Sequence, residues 1–268
     1  MAFVHLNFQS RYLNGNTDVN IILPDLPPQN TPKEFYLKEK KYPVVYLLHG
    51  TFQDYSDWIR KTRIEIYACE RNIVIVMPSA ANSGYSNWDQ FGIGYYMYDY
   101  LTQELMPLVE GWFPVSTKRK DTFVAGLSSG GFGAIKYGLS NSDRFAGMAS
   151  LSAPAYDVSN MVLDPASPDY IRAKNEIDNA GGRKIYNNSN CNPAFSVREY
   201  AKGAQDMKLY FACGTNDFLM AQHKEFIQIA QEVGLNAKIE TIEGYGHEWR
   251  FWDLTIEKAF DYFGLKKV

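Results

Sequence analysis

Cysteine is scarce. Cys69, Cys191 and Cys213 are odd in number and widely spaced, with no Cys-x-x-Cys pattern, which argues against a disulfide framework and against zinc or redox spacing. An excess of charge of one sign is also lacking. The 27 Lys+Arg and 30 Asp+Glu leave a formal charge of −3, which argues against a basic nucleic-acid binder. Long hydrophobic runs are missing: strand-like stretches such as 44–48 and 73–77 are well short of the ~18 residues of a membrane span. The start, Met1-Ala-Phe-Val-His5-Leu-Asn-Phe-Gln-Ser10, has no basic n-region, apolar core or small-residue cleavage site, so a cytoplasmic chain with no membrane association is expected.

What remains is an ordinary globular composition, 46% hydrophobic and 21% charged, which excludes disorder as the main state. Aromatic residues reach 15%, enough to suggest that some rings line a cavity or an interface. Apolar residues alternate over 3–8 and 19–23, separated by Asn14-Gly15-Asn16, and this reads as an antiparallel hairpin. After a proline-rich loop the pattern changes to short continuous apolar runs at 44–48, 73–77, 122–127, 147–151, 209–213 and 237–242. Such runs are strands buried on both faces. Helical stretches fall between and after them at 56–69, 98–112, 130–139, 218–233 and 249–263. The expected fold is a single α/β domain over 1–268: a mostly parallel central sheet with an N-terminal antiparallel hairpin and helices on both faces. Residues 153–205 interrupt the alternation, with Pro154, Pro165, Pro168 and Pro193 and the Asn187-Asn188-Ser189-Asn190 patch. They read as a small cap or lid insertion, or else as a solvated excursion.

The most informative stretch is Thr122-Phe-Val-Ala-Gly126-Leu127-Ser128-Ser129-Gly130-Gly131-Phe132-Gly133, a strand running through Gly-x-Ser-x-Gly into a helix. Chance alone would supply that pattern about one time in ten; its strand-to-helix setting makes it a nucleophile elbow, with Ser128 as the candidate nucleophile. Serine needs an imidazole base, and the base needs a carboxylate that holds its tautomer. Of the four histidines, His5 lies in the hairpin, His49 ends a strand and His223 sits in an amphipathic helix, where a surface position is expected. His247, on the glycine-flanked loop after the last strand, is the candidate base. Asp217 follows the 209–213 run by four residues and is the candidate carboxylate, with a helix N-cap as its alternative role and Asp206 and Glu243 as competing carboxylates. An oxyanion hole needs one amide just after the nucleophile, Ser129, and one from the loop after an earlier strand, where Thr51 follows His49-Gly50 and Phe52 is next. Tyr85 and Trp88 on the loop after the second buried strand, together with Phe52 and Trp249, are candidate pocket walls.

Leu47-Leu-His-Gly50, Met77-Pro-Ser79, Ala125-Gly-Leu-Ser-Ser-Gly-Gly-Phe-Gly133, Cys213-Gly-Thr-Asn-Asp217-Phe-Leu and Gly246-His-Glu-Trp249 with Trp252 together resemble the esterase D group of α/β-hydrolases. That group includes bacterial tributyrin and acetyl esterases, S-formylglutathione hydrolases, and feruloyl and acetylxylan esterases. The resemblance implies the α/β-hydrolase fold, hydrolysis of short-chain acyl esters by a serine carboxylesterase, no cofactor or metal, and frequently a homo-oligomer. It also implies Ser128, Asp217 and His247 as triad and Ser129 and Thr51 as oxyanion donors. The expected partner is a small-molecule or carbohydrate-linked ester. A thioesterase of the S-formylglutathione hydrolase type is the alternative, and a non-catalytic ligand-binding protein on the same scaffold is a third reading.

Overall fold

A computed structural model describes residues 2–36, 39–167, 170–203 and 206–268. Met1, Pro168 and Gln205, the last closing the segment singled out above, lie outside the described residues. Eight strands form one sheet: β1 (Ala2–Ser10), β2 (Gly15–Leu23), β3 (Val44–Leu48), β4 (Val74–Pro78), β5 (Thr122–Leu127), β6 (Gly147–Leu151), β7 (Lys208–Gly214) and β8 (Ala237–Ile242). Their order is β1-β2-β4-β3-β5-β6-β7-β8. The β1–β2 and β2–β4 pairs are antiparallel and every later pair is parallel.

Every residue of β3, β4, β5 and β6 is buried, as strands covered on both faces require. Alternate residues feed two cores. Val44, Tyr46 and Leu48 face one, with Tyr100, Leu105, Ile135, Val197 and Phe226 from the covering helices. Val45 and Leu47 face the other, with Trp58, Ile64, Phe251, Ile256 and Phe260. This is the α/β-hydrolase fold with helices on both faces.

Some local expectations are corrected. The hairpin turn is Arg11–Asn14, and Gly15 already pairs with Ser10 in the ladder. Asn14, not glycine, takes the left-handed conformation (φ 54°), and its side-chain amide donates to the carbonyls of Ile93 and Gly94. The helix expected over 56–69 is two helices, Asp57–Lys61 and Ile64–Arg71. Thr62 breaks them: its backbone is extended, and its hydroxyl bonds the Trp58 carbonyl and caps the Ile64 amide.

Among its described residues, 153–205 contains no strand. It holds the helices Tyr170–Asn179, Arg183–Asn187 and Pro193–Ala201. Val158, Ile177 and Tyr186 form a small core of their own, whereas Ala194, Val197 and Tyr200 belong to the main core. Asn192, 2% exposed, ties these parts together: its amide donates to Asp157, Ser159 and the Asn187 carbonyl, and its oxygen caps Ala194. Among the described residues, no helix is long and apolar enough to cross a membrane.

Candidate active site

Ser128 sits where β5 meets the helix Ser129–Ser140, with φ 51° and ψ −122°, a region non-glycine residues rarely occupy. The surrounding backbone holds it there: Ser128 N–H donates to the Leu151 carbonyl of β6 (2.8 Å), and its own carbonyl accepts from Phe132 (3.1 Å). The flanking glycines are required by close approach. A Cβ on Gly126 would lie 2.2 Å from the Gly130 carbonyl oxygen, and one on Gly130 would lie 2.4 Å from the Leu48 carbonyl oxygen. The helix can therefore press its first turn onto β3 and β5 and leave the serine side chain above the sheet edge.

The three residues singled out from distant parts of the chain meet there. His247 Nε2 is 3.0 Å from Ser128 Oγ, and His247 Nδ1 is 3.0 and 3.1 Å from the two Asp217 oxygens. With Nδ1–H donating to the carboxylate, Nε2 is left as acceptor for the serine hydroxyl. Asp217 is 4% exposed. Burial alone would push its carboxyl up; hydrogen bonds from His247, the Leu219 amide and the Ser152 hydroxyl outweigh it and hold the group below the usual carboxylate range. Asp217 Oδ1 accepts the Leu219 amide at 2.9 Å just ahead of the helix Met220–Glu232, so one carboxylate both orients the imidazole and helps start the helix.

His49 is also buried, and its ring shapes the loop rather than reaching Ser128. Nδ1 donates to the Gly50 carbonyl (2.7 Å) and Nε2 accepts from the Ala80 amide (2.9 Å). Gly50 N–H is taken by Gln53 Oε1, and Phe52 N–H by Asn82 Oδ1 at 2.7 Å. Thr51 N–H and Ser129 N–H have no hydrogen-bond partner among the described residues, and both residues line the same cavity as Ser128. This separates Thr51 from its neighbour Phe52.

The family model for esterases matches residues 10–262. The chain belongs to this esterase family. It is 30% identical to the acetyl esterase of Caldicellulosiruptor saccharolyticus over 269 residues, covering 98% of each chain. Among solved structures, it is similar to the substrate-bound serine hydrolase FphF of Staphylococcus aureus (TM-score 0.82, 29% identity). It is also similar to the S-formylglutathione hydrolase apoenzyme of the same organism (TM-score 0.78, 28% identity). In both cases 98% of each chain is covered. Family membership and these relatives make the protein a hydrolase of the esterase type.

The esterase's cavity is about 500 Å³, with Ser128 and His247 on its wall. Phe52 lines it and is 85% exposed at its mouth. The other expected walls are corrected. Tyr85 is buried beneath the site, its hydroxyl donating to the His49 carbonyl and its ring against Gly133. Trp88 is buried and packs edge-on against Phe91. Trp249 packs edge-on against Trp58 and Trp252. Of the latter pair, Trp252 is the one on the cavity wall. Residues of the 153–205 segment take the places expected for the loop aromatics, among them Tyr156, Met161 and Tyr186.

Sequence reasoning missed Ser152. Its hydroxyl accepts from Trp252 Nε1 (3.0 Å) and reaches the Asp217 carboxylate, and its φ of 51° marks a second strained position at the end of a sheet strand. No local motif marks it. It links Trp252 to Asp217 across the sheet edge.

His223 corrects another expectation: it is 1% exposed, not a surface residue, and its Nε2 meets Thr241 Oγ1 at 3.1 Å. Burial lowers its pKa to about 4, against a small opposing pull from Asp217. The folded state then resists protonation while the unfolded chain binds a proton near pH 6.5, so stability falls as pH drops from about 6.5 to 4. The expected loss is roughly 3 kcal/mol at pH 4. Denaturant titration of the parent and of His223→Gln between pH 4 and 7 checks this. A parent curve no steeper than the variant's contradicts it.

Proposed function

We propose that the protein is a serine carboxylesterase of short-chain acyl esters, acting through an acyl-enzyme on Ser128. The observation that carries this is the unbroken hydrogen-bonded chain Ser128–His247–Asp217 opening into a cavity beside two amides that have no partner among the described residues. His247 Nε2 takes the hydroxyl proton as Ser128 Oγ attacks the ester carbonyl. Asp217 stabilises the imidazolium, and the Ser129 and Thr51 amides receive the oxyanion. The imidazolium then gives its proton to the leaving alcohol, and water repeats the sequence to release the acid.

Similarity to the Caldicellulosiruptor acetyl esterase supports an acetyl or butyryl preference, on a free or carbohydrate-linked alcohol. Similarity to the S. aureus S-formylglutathione hydrolase favours a second reading, thioester hydrolysis by the same three residues. Steady-state rates on p-nitrophenyl acetate, p-nitrophenyl butyrate, methyl ferulate and S-formylglutathione separate these. Higher kcat/KM on the short oxygen esters is expected. A preference for S-formylglutathione of more than about tenfold, or 1.4 kcal/mol, would move the assignment to a thioesterase, and a ferulate preference would move it to phenolic esters.

A further inference from the structure

The cavity wall carries a buried cation. Lys136 is 6% exposed and lines the cavity, and its ammonium donates to the Gly84 carbonyl (2.9 Å) and to the Ser86 hydroxyl. An ammonium has three donors. The third has no acceptor, and the charge no carboxylate within ion-pair distance, among the described residues. Glu176, the acidic residue on the same wall, pairs with Arg172 one turn away on the helix Tyr170–Asn179 (3.9 Å). Lys136, Arg172 and Glu176 together give the wall a formal charge of +1. An unpaired buried charge is costly, and a methionine would fill the same space without it.

Position gives that charge a role. Phe132 and Lys136 follow Ser128 at intervals of four residues, so they form a rail along one face of the helix Ser129–Ser140. Lys136 lies about 12 Å from Ser128 along the axis. During turnover the alcohol oxygen must stay beside His247 Nε2, where Phe218 and Trp252 pack. Phe132 and Lys136 line the same cavity as Ser128, so an acyl chain laid along this face of the helix would pass Phe132 and reach Lys136.

We propose that Lys136 forms an anion subsite for the far end of the acyl group, so that the enzyme takes esters whose acyl chain ends in a carboxylate. The inference rests on Ser128 being the nucleophile. Water adds across the ester as in simple hydrolysis, giving a dicarboxylate and the alcohol. Acetyl and butyryl esters leave the subsite empty.

The test compares p-nitrophenyl half-esters of adipic, suberic and sebacic acids with the neutral hexanoate, octanoate and decanoate. The ratio of kcat/KM, charged over neutral, is taken within each protein so that any general loss of activity cancels. The parent is expected to favour the charged ester by at least about tenfold at one chain length and less at the others, because Lys136 holds a fixed position. In Lys136→Met the ratio is expected to fall to one or below at every length, and in Lys136→Arg, which keeps the charge, the preference is expected to remain. A parent ratio of one or below throughout, or a preference that survives Lys136→Met, overturns the proposal and leaves Lys136 as a staple for the 84–86 loop. Hydrolysis of the neutral esters, and its loss in Ser128→Ala, reports on the nucleophile separately. Should no ester turn over, calorimetric binding of monomethyl suberate to Ser128→Ala, with and without Lys136→Met, still decides: binding at least about tenfold tighter with Lys136 supports the subsite, and equal binding overturns it.

Discussion

Ser128→Ala is expected to lower kcat on p-nitrophenyl acetate by about four to six orders of magnitude, with KM changed only a few-fold. The hydroxyl is the proposed nucleophile, whereas the cavity and the two amides persist without it. His247→Ala should cost about as much, and the double variant little more than either single one, because the residues act as a unit. Asp217→Asn should cost about four orders of magnitude, since an amide can hold the ring in the wrong tautomer. Stopped assays with active-site titration by a fluorophosphonate check the series. A loss below about tenfold in Ser128→Ala would remove this serine from the chemistry.

Gly126→Ala should be among the most damaging single methyl groups in the sheet. The added Cβ would meet the carbonyl oxygen and carbon of Gly130 at 2.2 and 2.4 Å, and both are backbone atoms of the elbow. No side chain can rotate away to make room. Either β5 or the first turn of the helix must shift, and a shift of even about 1 Å at Ser128 breaks the alignment with His247. A destabilisation of about 3 kcal/mol or more is expected, a fall in Tm of roughly 6–12 °C, together with loss of activity. Gly111→Ala is the matched control: in the helix Met106–Trp112 its Cβ would meet nothing within 4 Å, so stability should rise by about 0.5–1 kcal/mol. Thermal melts of both variants decide it. A Gly126→Ala protein that melts with the parent and keeps its activity would show that the elbow tolerates a side chain.

The contrast between these glycines shows why part of the site is legible in one dimension. The β5 elbow is local, with strand, turn and helix within a dozen residues, and its steric demand appears directly as the glycine spacing. Asp217 and His247 could be placed after β7 and β8 because parallel strands bring their C-terminal ends to one edge. The walls of the cavity obey no such rule. Tyr85 and Trp88 follow β4 toward the active edge, yet the first turns its ring down onto Gly133 and the second packs against Phe91. Nothing in their spacing encodes which side of a loop is covered.

Periodicity and elementary stereochemistry determined the alternation of buried strands and helices, the sheet edge where the candidate site lies, the elbow at Ser128 and the chain order of the proposed nucleophile, carboxylate and base. These are near-neighbour matters: side-chain period sets which faces are buried, and a strained turn selects its glycines. Only the tertiary structure decided that His223 is buried with its pKa lowered, that Asn82 occupies the Phe52 amide and leaves that of Thr51, that Ser152 joins Trp252 to Asp217, and that Lys136 faces the cavity with no carboxylate in ion-pair range among the described residues. Each depends on what packs across from a residue, and partners brought together from distant parts of the chain leave no mark on the local pattern that either one presents.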